Sequence, residues 1–128
     1  KRHVVSRDIS TIQKGNPESM DDKLLKKYCP MTETIFYTLL ALLEPNHGYG
    51  IMKFVRELTE ERVKMGTGTL YTMLGRLVED QMITVISEID GKKTYQITAD
   101  GKTILLMEVN RLHQQCENGE KILGGTQE

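Results

Sequence analysis

Residues 66–97 read GTGTLYTMLGRLVEDQMITVISEIDGKKTYQI, and the changes of period within this stretch decide the fold. Leu70, Leu74, Leu77 and Val78 recur at helical spacing, predicting a helix from about Thr67–Thr69 to about Gln81. The period then drops to two in Ile83-Thr84-Val85 and again in Tyr95-Gln96-Ile97. Between them Asp90-Gly91 is a strong hairpin signal, because a two-residue type I′ turn needs positive φ at both central positions. A lone hairpin is marginal in water, so this one must lean on helices.

Upstream, Thr32 is a favourable N-cap with Glu33 at the positive end of the helix dipole. From Ile35 to Leu43 apolar residues occupy nearly the whole circumference, which predicts the central, buried helix. Pro45-Asn46-His47-Gly48 reads as a turn. A helix with Ile51, Val55 and Leu58 at i, i+4 and i+7 follows it. Ser19 and Asp22 have the shape of a capping box, opening a short helix to about Tyr28 with Leu24, Leu25 and Tyr28 on one side; Pro30 stops it. Downstream, Thr98 caps a long helix in which Leu105, Val109, Leu112 and Cys116 repeat at spacings of 4, 3 and 4, and the pattern fades beyond Asn118-Gly119.

The organisation expected is a flexible N-terminal extension over 1–19, a winged-helix domain over 20–98, a C-terminal dimerisation helix over 99–120 and a tail over 121–128. Met20 reads as a natural or alternative start. After the short N-terminal helix, three short helices, a two-stranded hairpin and a long helix, in that order, form a mainly α winged helix-turn-helix with an appended arm. An apolar seam of about four turns is a liability in a monomer, so Leu105, Val109, Leu112 and Cys116 read as homodimer contacts rather than as an intramolecular core stripe.

Composition narrows the function. With 128 residues the chain holds one domain of ordinary size, which excludes large multi-domain enzymes. The longest apolar stretch is about half of a bilayer span. The two cysteines, Cys29 and Cys116, make no disulfide framework and point to a reducing, cytoplasmic setting. The net charge of -1 does not by itself favour nucleic acid, but its distribution is uneven. Residues 62–93 carry five bases and four acids, and 100–128 three bases and five acids. No nucleophile elbow, phosphate loop or paired-carboxylate signal appears, so no enzyme and no cofactor is expected. Cys116 lies three residues beyond His113, yet two ligands do not make a metal site, and none is expected.

The helix from Thr67 carries the chemistry. With Leu70 at the centre of the buried side, Gly68, Thr72, Gly75 and Glu79 fall opposite, flanked by Thr69, Tyr71 and Arg76. This exposed half is small and hydroxyl-rich, which lets a helix sink into a major groove about 12 Å wide. Hydroxyls and first-turn N–H groups suit phosphate oxygens, and Arg76 is able to pair bidentately with guanine. Glu79 and Asp80 require entry by the N-terminal end. The hairpin tip adds Lys92 and Lys93. The candidate contacts to double-stranded DNA are therefore Lys64, Thr67, Gly68, Thr69, Tyr71, Thr72, Arg76, Lys92 and Lys93. The alternative is a winged-helix protein-interaction module that dimerises without reading DNA, and the near-neutral charge over 62–93 keeps it open.

Three segments, TETIFYTLLALLEPNHGYGIMKFV (32–55), GTGTLYTMLGRLVEDQMI (66–83) and KKTYQITADGK (92–102), closely resemble the PadR family of bacterial transcriptional regulators, in its short branch with one C-terminal helix. The resemblance implies a homodimeric repressor whose recognition helices enter successive major grooves of a palindromic operator. It further implies that the C-terminal helix is the main dimer contact, aided by the N-terminal helix through Leu24, Leu25 and Tyr28. By position, Thr69, Leu70 and Tyr71 match the family's TLY, with Tyr71 as a backbone contact and Leu70 as core; Lys92 and Lys93 match the basic wing. The chain departs from the family at Thr67, where many members have Pro, and at Gly75, where bulkier residues are frequent. Family members also answer to small-molecule effectors, and nothing in this sequence selects one. Ile104, Met107, Phe36 and Tyr37 are expected to pack rather than to line an effector cavity.

Overall fold

The structure, a computed structural model, describes residues 19–124. The expected extension, apart from Ser19, and the last four residues of the expected tail lie outside the described residues. The elements are α1 (Met20–Tyr28), α2 (Glu33–Ala41), β1 (Asn46–His47), α3 (Gly48–Leu58), α4 (Thr67–Glu79), β2 (Ile83–Ile89), β3 (Lys92–Ile97) and α5 (Ala99–Gly124). The chain divides into two compact units. One is residues 30–103; the other joins the stretch up to Cys29 with Ile104 onward.

In the unit of residues 30–103, α2, α3 and α4 supply the core. Leu39, Leu42, Ile51, Val55, Leu70, Leu74 and Leu77 are fully buried, each side chain contributing about 1.5–3 kcal/mol. Thr32 caps α2 by accepting from Ile35 N at 3.3 Å. His47 caps α3 through Nδ1, which accepts from Gly50 N at 3.2 Å. The hairpin forms with Asp90 at φ 53° and Gly91 at φ 78°, as the turn signal requires.

Four local expectations need correction. Asn46-His47 is not merely a turn: it forms β1, which pairs antiparallel with β3, so the sheet has three strands in the order β1-β3-β2. A two-residue strand is too short to show a period. The hairpin arms extend to Ile89 and from Lys92, because a bulge between Val85 and Ser87 absorbs the consecutive apolar pair Val85-Ile86 that hides the alternation. Leu58 is exposed despite its i+7 position, because α3 ends there. Glu61 N closes that end by donating to Arg56 O at 2.8 Å. Finally, α4 stops at Glu79: Gln81 takes φ 62°, and Met82 N returns to Leu77 O at 2.9 Å. Met73 joins the buried side of α4, while Val78 is only half-buried.

In the other unit, the capping box opens α1 as expected: Asp22 N donates to Ser19 Oγ at 3.1 Å and Ser19 N to Asp22 Oδ2 at 3.2 Å. Within the unit of residues 30–103, Thr98 Oγ1 accepts from Gly101 N at 2.9 Å in the first turn of α5. That helix continues through Gly119 to Gly124, beyond the expected 99–120. Among the described residues no helix is long and apolar enough to cross a membrane.

Candidate nucleic-acid interface

Burial of Leu70, Met73, Leu74 and Leu77 fixes the rotation of α4 and leaves Thr67, Gly68, Thr69, Tyr71, Thr72, Gly75 and Arg76 exposed. A Cβ on Gly66, Gly68 or Gly75 would meet no atom within 4 Å. These glycines therefore do not serve packing; they thin the outer side of the helix. Gly66 caps α4 without a side-chain hydrogen bond, so no capping oxygen occupies the first-turn N–H groups.

Tyr71 connects two of the motifs. A Cβ on Gly48 would overlap the Tyr71 hydroxyl, so the Gly of the His-Gly-Tyr turn is what admits the Tyr71 ring beside the start of α3. Tyr71 also neighbours Tyr95 of β3, whose hydroxyl is pushed above the usual tyrosine range first by burial and then by the charges of Tyr71 and Glu88. The side chain of Tyr71 on α4 thus lies near both the turn that opens α3 and strand β3.

The expected cations are unequal. Arg76 is exposed and makes no ion pair among the described residues. Lys64 lies 3.7 Å from Glu61, both about two-thirds exposed, a tether of little energy. In the wing, Lys93 is the cross-strand partner of Glu88, whereas Lys92 lies opposite Ile89. The cross-strand neighbour is thus acidic for Lys93 and apolar for Lys92. Tyr49, Lys53 and Arg56 share one side of α3 at i, i+4 and i+7 and are exposed or half-buried.

The candidate dimer residues divide by exposure. Leu24, Tyr28 and Leu105 are already buried within the single chain, Leu25 and Val109 are half-buried, and Leu112 (39%) and Cys116 are exposed. Ile104 and Met107 are buried as well. Beside them Glu108, 1% exposed, is held bidentately by Arg111, with Nε to Oε1 at 2.9 Å and a second bond to Oε2 at 2.7 Å. Arg111 also donates to Gln115 at 2.8 Å.

Burial, then the charge and hydrogen bond of Glu108, push the Cys29 thiol up to about 12. A thiol unfolds into water with a pKa near 8.5–9, so its folded-state preference is fully present below that value and is lost as pH rises toward 12. Cys29 should accordingly resist iodoacetamide in the folded protein up to about pH 9 and react only once guanidinium unfolds it. Mass spectrometry of the Cys29 peptide checks this; equal modification of folded and unfolded protein would contradict the buried contact. His113 Nε2 lies 3.2 Å from Glu117, and no group of three metal-ligating side chains occurs among the described residues.

The profile of the Transcriptional regulator PadR-like family matches residues 37–106, more than half of the chain. The chain belongs to the PadR-like family of transcriptional regulators. That membership makes this PadR-like protein a regulator built on a DNA-binding winged helix, not an enzyme. A PadR family transcriptional regulator from Eggerthella lenta DSM 2243 is similar at 25% identity, over 70% of this chain and 80% of that one, with a TM-score of 0.59. Two further structures share the fold. A transcriptional regulator from Clostridium thermocellum does so at 23% identity, 80% and 93% coverage and TM-score 0.55. A complex of hsRosR-SG does so at 17% identity, 77% and 93% coverage and TM-score 0.57. No curated protein sequence matches this PadR-like chain.

Proposed function

We propose that this PadR-like regulator is a cytoplasmic, sequence-specific repressor that binds a palindromic operator as a homodimer and is released by a small-molecule effector of unassigned class. The observation that carries the reading is the outer side of α4. From Thr67 to Arg76 it bears no carboxylate, three glycine- or threonine-thinned turns and one uncommitted cation. Such a helix enters a major groove N-terminus first, with Glu79 and Asp80 kept clear of the phosphates. Thr67, Gly68, Thr69, Tyr71, Thr72 and Arg76 meet the DNA from α4, Lys64 from the preceding loop, and Lys92 and Lys93 from the wing. Leu25, Val109, Leu112 and Cys116 join the two copies.

Gly68→Glu tests this without harming the fold. The added side chain meets open space, and a carboxylate in the first turn of a helix is favourable. In the groove the same carboxylate faces phosphates. Fluorescence anisotropy should show affinity for every duplex falling about tenfold or more, with unchanged thermal unfolding. Lys92→Ala with Lys93→Ala should weaken all sequences alike and lower the salt slope. The five bases and four acids over 62–93 favour one other reading, a dimeric protein-interaction module. Under that reading neither variant changes DNA retention.

A further inference from the structure

The unit of residues 30–103 holds a cleft of about 540 Å³ between the beginning of α2 and the outer side of α4. Thr32 and Thr34 line one wall, and Thr69, Thr72 and Arg76 the other. Four threonine hydroxyls and one guanidinium therefore belong to residues that line the same cleft. No carboxylate lines the cleft, because the nearest acidic residue of α2, Glu33, is taken up by Arg62 at 2.9 Å. The side chains of Thr69, Thr72 and Arg76 make no hydrogen bond or ion pair among the described residues. Thr34 Oγ1 lies 3.2 Å from Thr32 Oγ1, which also accepts from Ile35 N, so the two hydroxyls form a short chain at the wall.

A lone guanidinium with hydroxyl donors on both sides, in a concavity without a carboxylate, suits a tetrahedral oxyanion: the guanidinium supplies a charge-assisted fork and the hydroxyls take the remaining oxygens. The geometry points to this cleft as a seat for one phosphate group. In the complex with DNA the phosphate is a backbone phosphate, so α2 joins the DNA interface and Arg76 serves the backbone rather than a guanine edge. The source of the phosphate rests on the DNA-binding reading. The site itself does not, and a free phosphate ion fills it equally well.

The test has two arms, using the full chain and the variants Thr34→Val and Arg76→Gln, both on exposed or half-exposed positions. In the first, inorganic phosphate is compared with chloride at equal ionic strength in thermal unfolding. Phosphate should raise the midpoint of the wild type and of neither variant. Absence of a phosphate-specific shift in the wild type, or the same shift in both variants, overturns the seat. In the second arm, Thr34→Val should weaken operator and random duplex by the same factor, about threefold. Arg76→Gln should weaken both about tenfold and reduce the salt slope by about one. Loss confined to the operator would place Arg76 on a base edge and overturn the backbone assignment. A phosphate shift in a protein that binds neither duplex would leave the seat standing and sink the DNA-binding reading instead.

Discussion

Leu112→Asp should leave the protein folded but monomeric, and should lower its affinity for a duplex carrying both half-sites by about a hundredfold or more. Leu112 is 39% exposed in the single chain, so a carboxylate there costs the isolated copy little. In a seam with Val109 and Cys116 the same carboxylate would be buried against apolar side chains, at a cost of several kcal/mol. The helix itself argues for a partner. From Arg111 to Gly124 every residue of α5 is exposed or half-buried, a rod of about 20 Å that short-helix energetics would not favour alone. Joining two DNA-binding units makes the second contact intramolecular, worth about 10²–10⁴ in avidity. Analytical ultracentrifugation and anisotropy on the same sample check both parts. A variant that sediments as a dimer would place the seam elsewhere.

The second large effect is on stability. Gly101→Ala should destabilise the protein by about 3 kcal/mol, roughly 10 °C in Tm. A Cβ there would overlap the Met82 carbonyl oxygen and lie 3.0 Å from its carbon, and a backbone group cannot rotate aside as a side chain can. The approach is close because Thr98 ties the first turn of α5 to the same residues: its N donates to Met82 O at 3.0 Å and its Oγ1 to Gln81 O at 2.7 Å. The Thr-x-x-Gly pattern thus pins the start of the long helix to the end of the recognition helix. Gly75→Ala is the matched control. It also lies within a helix but faces open space, so it should gain up to about 1 kcal/mol. Thermal melts of the two variants should move in opposite directions.

The parts of the fold that were legible in the sequence are those governed by local chemistry. Ser19, Thr32 and Thr98 each accept the hydrogen bond their position suggests, and Asp90-Gly91 supplies the two positive φ values of the turn. The buried stripe of α4 follows from spacing alone, and with it the identity of the exposed side. What was not legible depends on distant partners. β1 exists only because β3 lies beside it, and the sequence of two residues cannot say so. Leu24, Tyr28 and Leu105 are apolar at helical spacing, but spacing cannot distinguish a side chain buried within one copy from one that meets a second. The inequality of Lys92 and Lys93 appears only once strand register sets Glu88 across from Lys93. The α2–α4 cleft joins residues more than thirty positions apart, and the spacing of neither helix shows that Thr32 and Thr34 come beside Thr69, Thr72 and Arg76.

Reading of DNA by α4 underlies the whole proposed function. It is tested most directly by titrating the wild-type protein onto labelled duplex from the upstream region of its own operon and onto random duplex of equal length, at one fixed salt concentration. A preference of about 10³ or more for the upstream sequence is expected. Equal affinity for the two would contradict it.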